Sequence, residues 1–86
     1  MNLPTIYRYH VATNAPPPPV ESWEEFGPTV MQPRYIAESV AEELHPSAPA
    51  PESIIVHVYS DRHGGITVWR VRSVVEVNWH ASEVDP

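Results

Sequence analysis

The chain has neither cysteine nor lysine. Without cysteine it can form no disulfide framework and no thiolate metal site, which leaves the cytosol as the default compartment. Without lysine, its cations are five arginines set against eleven carboxylates, for a formal net charge of −6. A protein that tracks phosphates by counterion release needs clustered cations, so nucleic acid is not the expected partner. No apolar run approaches the ~20 residues of a membrane span. The opening Met-Asn-Leu-Pro-Thr-Ile-Tyr-Arg lacks a basic start followed by an apolar core, so no signal peptide is expected and a cytoplasmic protein is. Glycine is scarce. The adjacent Gly64 and Gly65 join two strand-like runs, not a strand and a helix, which excludes a phosphate-cradling loop.

Proline, by contrast, is plentiful, and seven of its eleven residues fall in connectors at 14–20 and 46–51. Pro16 to Pro19 cannot donate to a sheet ladder or sit inside a helix, so they predict a stiff polyproline II spacer. Docking to an SH3-like groove is disfavoured because no arginine flanks the run. The 86 residues read as a single domain, 1–86, small enough to bury only about 60–65% of its unfolded surface. Three Trp, four Tyr and one Phe supply much of the area available to a core.

The strongest local signal is a hairpin from Ser53 to His80. Two β-branched, aromatic-rich runs flank Asp61-Arg62-His63-Gly64-Gly65. Two turns fit. One is a two-residue turn at Gly64-Gly65, which sets Val58 against Val71 and Tyr59 against Arg70. The other is a type I turn at Asp61–Gly64 with a glycine bulge. The long second arm, through Val74 to His80, is expected to pair with an N-terminal strand at Thr5–Ala12, where Tyr7, Tyr9 and Val11 share one face and Ile6, Arg8 and His10 the other.

Between these strands, Ser22-Trp23-Glu24-Glu25-Phe26 has the spacing of a capping box and predicts a short helical turn with Trp23 and Phe26 on one side. Pro33 to His45 predicts the one substantial helix. Proline suits its first position, Ile36, Val40 and Leu44 form an apolar stripe with Ala37 and Ala41, and Pro46 stops it. The expected fold is α+β: a three-stranded, mostly antiparallel sheet in the order β-α-β-β, with one amphipathic helix packed on one face. The other face, bearing Arg8, His10, His57, Tyr59, Arg70 and Arg72, is expected to lie open.

His10, His57, His63 and His80 lie on or beside the sheet and invite a metal hypothesis, but no pair has a helical metal-ligand spacing. The expectation is no metal and no cofactor. Ser60, Asp61 and His63 are neighbours in an exposed turn with no pocket to shift their pKa values, so an enzyme is not expected. An arginine- and tyrosine-bearing sheet face would suit stacked single strands, but the charge balance opposes it.

The order of parts resembles small phage-encoded accessory proteins. The shared features are a short aromatic strand, a Pro or acidic linker, the helix Ile36–His45, the Asp61-x-x-Gly64-Gly65 turn and the ending Val75-Glu-Val-Asn-Trp-His-Ala-Ser-Glu-Val84. Some such proteins, anti-CRISPR proteins among them, are stoichiometric inhibitors. The resemblance implies a non-enzymatic protein binder and assigns no residue. From the residues themselves, the expected partner-binding set is Arg8, His57, Tyr59, Arg70 and Arg72, with homodimerisation through a sheet edge an alternative mode. The competing reading is a metal- or ligand-binding module on the same face.

Overall fold

A computed structural model describes residues 4–46, 52–62, 65–73 and 79–84. Among these residues, five strands and one α-helix follow one another as β1 (Thr5–Val11), β2 (Glu24–Thr29), α1 (Pro33–Leu44), β3 (Ser53–Ser60), β4 (Gly65–Ser73) and β5 (Trp79–Glu83). A 3-10 turn, Val20–Ser22, precedes β2. The strands form one sheet in the spatial order β2-β1-β3-β4-β5, with every neighbouring pair antiparallel. The α+β class with one helix on an antiparallel sheet holds. The three-stranded β-α-β-β arrangement does not, because the sheet has five strands.

Both additional strands come from segments that local patterning misreads. The capping-box pattern at Ser22–Phe26 opens no helix: the helical turn ends at Ser22, and Glu24 begins β2. Pairing of Tyr7 with Phe26 and Tyr9 with Glu24 supplies the ladder that Glu-Glu-Phe-Gly-Pro-Thr would not form alone. Gly27, at φ 109°, lies where the register between β1 and β2 shifts. A Cβ there would sit 2.8 Å from the Thr5 carbonyl oxygen, so the close approach needs glycine. At the other end, the expected single arm to His80 is two strands. β5 folds back on β4 with Val71 opposite Ala81, and β1 pairs instead with β2 and β3. Tertiary pairing overrides the reading of one continuous strand. Val74, Val75 and Val77 lie outside the described residues.

The hairpin register also departs from the two-residue turn. Ser60 pairs with Gly65, Val58 with Thr67 and Tyr59 with Ile66, so four residues, 61–64, connect the strands. Gly65 sits within β4 at φ 95°, a backbone geometry that glycine adopts without strain. His63 and Gly64 lie outside the described residues, as does the connector at 47–51.

The helix packs on β3, β4 and β5. Ile36, Ala37, Val40 and Ala41 are buried against Tyr7, Val56, Val58, Val71, Trp79 and Ala81. The two alanines bring the helix axis close to the sheet, while Leu44, expected in the same stripe, is about half exposed at 52%. Two aromatic side chains fix the helix ends. The Tyr7 hydroxyl donates to the Met31 carbonyl at 2.7 Å, and the Trp79 indole N–H donates to the His45 carbonyl at 3.3 Å. The opposite face of the sheet is therefore determined: whatever alternates with these core residues must point away from α1.

Candidate functional site

Strand register settles which side chains share that outer face. Arg8 pairs with Tyr59 and His10 with His57 across β1 and β3. Ile55 pairs with Arg70, His57 with Val68 and Tyr59 with Ile66 across β3 and β4. Arg70 pairs with Ser82 and Arg72 with His80 across β4 and β5. Arg8, His57, Tyr59, Arg70 and Arg72 thus lie on one surface, but they divide into two zones.

The first zone is covered, contrary to the expectation of an open face. The chain from Ala12 to Trp23 returns across the sheet, and Trp23 is buried to 6% exposure. Its indole stacks on His10 at 5.7 Å between ring centroids and lies tilted over His57 at 5.9 Å. The indole N–H donates to the Pro18 carbonyl at 2.9 Å, so the proline run is held by a side chain four residues beyond its end. Arg8 holds the same strap from below, donating to the Glu21 carbonyl at 3.1 Å and meeting the Glu25 carboxylate at 3.4 Å. Trp23 and Phe26 therefore do not share a side. Phe26 faces α1 and meets Tyr9 edge-on at 6.3 Å. The signal for this was present in the sequence. At a period of two, Trp23 and Glu25 fall on one face and Glu24 and Phe26 on the other.

Under the indole, His10 and His57 approach to 5.9 Å. Burial and the neighbouring His10 hold the His57 imidazole below its ordinary pKa, because both penalise its charged form. His10 Nε2 is buried without a hydrogen-bond partner among the described residues. His80 lies on β5, two strands away from His57, and His63 is outside the described residues. Among the described residues no group of three or more His, Cys, Asp or Glu is placed to hold a metal ion.

Beside the strap, Ile6, Arg8, Glu25, Tyr59, Asp61 and Arg62 line an open groove of about 580 Å³. The Tyr59 hydroxyl hydrogen-bonds the Asp61 carboxylate, which is the main reason its phenol is held above the ordinary value. Arg62 reaches back to the Thr5 hydroxyl at 3.4 Å. The lining holds two cations, Arg8 and Arg62, and two carboxylates, Glu25 and Asp61, and it includes Ile6, 54% exposed.

The second zone is open. Arg70, Arg72, His80 and Ser82 are exposed, and Ile66 is 51% exposed. No carboxylate pairs with Arg70 or Arg72 among the described residues, whereas Arg8 meets Glu25 and Arg34 meets Glu38. The sequence-derived set thus places Arg8, His57 and Tyr59 under or beside the strap and Arg70 and Arg72 in the open. Trp23 is the main element it omitted.

No helix among the described residues is long and apolar enough to cross a membrane. Compared with protein-family models, with curated proteins and with solved structures, the chain matches none.

Proposed function

We propose that this chain is a non-enzymatic protein–protein interaction module that binds a partner stoichiometrically through its outer sheet face. The observation that carries the reading is the open zone itself: Ile66 half exposed, with exposed Arg70 and Arg72 paired to no carboxylate among the described residues, in a chain with carboxylates in excess. Exposed apolar area beside uncompensated charge is the composition of a recognition surface. The sheet edges are less suited to recruit a partner. The centre of β5 is capped by Glu38, and β2 carries the Gly27 irregularity followed by Pro28, both features that discourage strand addition. Face binding is accordingly preferred over an edge-paired homodimer. Inhibition of a host or defence protein, which the likeness to phage accessory proteins implies, is one form this binding would take; it rests on the order of parts alone.

Affinity capture from a bacterial lysate, run in parallel with the wild-type chain, Ile66→Glu on the outer face and Glu42→Arg on the helix, tests the reading. A stoichiometric protein retained by wild type and Glu42→Arg but lost with Ile66→Glu is the expected result. A partner lost only with Glu42→Arg would place recognition on the helix instead.

A ligand-binding role for the covered zone is the second reading, and what favours it is His10 Nε2, buried beside His57 without a hydrogen-bond partner among the described residues. Zinc added to the full chain should then move the His10 and His57 ring signals before those of His45 and His80. Equal broadening of all four would end this reading.

A further inference from the structure

We propose that the open zone centred on Arg70 and Arg72 docks an acidic, extended protein segment, one carrying carboxylates and apolar side chains at alternate positions. The proposal rests on the binding-module reading above and names the chemistry of the partner.

Charge is segregated between the two layers of the molecule. Glu38, Glu42 and Glu43 ride on α1, and Glu24 and Glu83 fall on the helix-facing side of β2 and β5. The cations gather on the other side. Arg8, Arg70 and Arg72 share the outer face, and only Arg34 belongs to the helix. The acids near the outer face stand around the groove and strap: Glu25 meets Arg8 and Asp61 meets Tyr59. None of the described acids pairs with Arg70 or Arg72. In the register, Arg72 lies between Ser53 and His80, and Arg70 lies between Ile55 and Ser82. In the ladder, two permanent cations and a histidine therefore have hydroxyls and aliphatics as cross-strand neighbours, and no carboxylate among the described residues pairs with either arginine. In a chain of net charge −6 that neighbourhood is left for carboxylates from outside.

The pattern along β4 gives the occupant a shape. Its outward residues are Ile66, Val68, Arg70 and Arg72, two apolar and then two cationic. Alternate residues on a strand are about 6.6 Å apart, so an extended segment with carboxylates two residues apart sets one against each guanidinium. Its remaining inward side chains then meet Val68 and Ile66. A flat guanidinium pair with apolar flanks suits carboxylates on a peptide better than a continuous phosphate chain. The acidic remainder of the molecule would repel a nucleic acid over a longer range. A second copy is disfavoured by the same net charge.

The test is an amide NMR titration of the full chain with three probes. The first is a blocked heptapeptide, Val-Ser-Val-Ser-Glu-Ser-Glu, the second is the same peptide with both glutamates replaced by glutamine, and the third is a single-stranded oligonucleotide. The expected result is saturable shifts at Ile55, Val68, Arg70, Arg72 and Ser82 with the acidic peptide alone, falling about tenfold in affinity between about 50 and about 300 mM salt. Arg70→Glu/Arg72→Glu should abolish them while keeping wild-type shift dispersion, since neither arginine has a described partner to lose. Equal shifts with the glutamine peptide would overturn the acidic-partner proposal and leave outer-face binding standing. Shifts with the oligonucleotide at least as strong would assign the patch to nucleic acid. No outer-face shift with any probe would overturn both readings.

Discussion

The carboxylate of Glu38, on the helix, accepts a hydrogen bond from the backbone N–H of Ala81 at 2.8 Å. Ala81 stands opposite Val71 in the last ladder, and the Val84 N–H reaches the Val68 carbonyl, so the Ala81 amide points to the free edge of the sheet. Arg34 steadies the same carboxylate at 3.6 Å. One helical glutamate thereby occupies the central edge donor of β5 that an incoming strand would use.

Glu38→Ala should cost about 1–2 kcal/mol, the usual effect of removing a charged partner from a half-buried donor. It should also speed exchange of the Ala81 amide and raise the tendency to self-associate. Glu38→Gln keeps an acceptor and should recover most of the stability. Urea unfolding with hydrogen exchange at Ala81 checks both. Equal loss in the two variants would mean that packing, not the hydrogen bond, is what Glu38 contributes.

Gly27→Ala should destabilise by about 2 kcal/mol or more. The positive φ alone costs an L-residue about 1–2 kcal/mol, and the added methyl meets backbone on both sides, at the Thr5 oxygen and 2.9 Å from the Thr29 nitrogen. Gly65→Ala has the same φ penalty but open space around its Cβ, so it should cost less. Comparing the two urea midpoints isolates the steric part.

Tyr7→Phe removes a buried hydroxyl and leaves the Met31 carbonyl short of a donor. A loss of about 1–2 kcal/mol is expected, read as a drop in Tm of several degrees for a domain of this size. An unchanged Tm would show that water replaces the hydroxyl.

Trp23→Ala should loosen the strap. The expected cost is about 3 kcal/mol, at the low end for a buried tryptophan because the gap opens to solvent. His57 should then titrate closer to its ordinary value of 6.5, since the indole helps desolvate it. NMR titration of the imidazole measures this directly.

The depressed His57 pKa also predicts a pH dependence of stability. The unfolded chain protonates His57 at about its ordinary value, whereas the folded one resists until lower pH, so below about 6.5 the unfolded state binds more protons. The contribution is complete above that value and is lost as pH falls through the folded pKa. Tm should decline on acidification from pH 7 toward 5, and His57→Gln should flatten the decline. A wild-type slope in that variant would assign the effect elsewhere.

Much of this was written locally. The alternation of Ile54, Val56 and Val58 against Ile55, His57 and Tyr59 specified β3 and its two faces, and Pro33 with Ile36, Ala37, Val40 and Ala41 specified α1, because period and end signals need no distant partner. The common face of Arg8, His57, Tyr59, Arg70 and Arg72 followed from parity for the same reason. What local pattern could not supply was who pairs with whom. Glu24–Thr29 becomes a strand only because β1 offers an edge, and β5 forms by turning back on β4. Trp23 finds the His10–His57 pair only after both strands are in register. Long-range pairing and aromatic burial are decided by the free energy of the whole assembly, and that decision closed half of the outer face and left the Arg70–Arg72 half open.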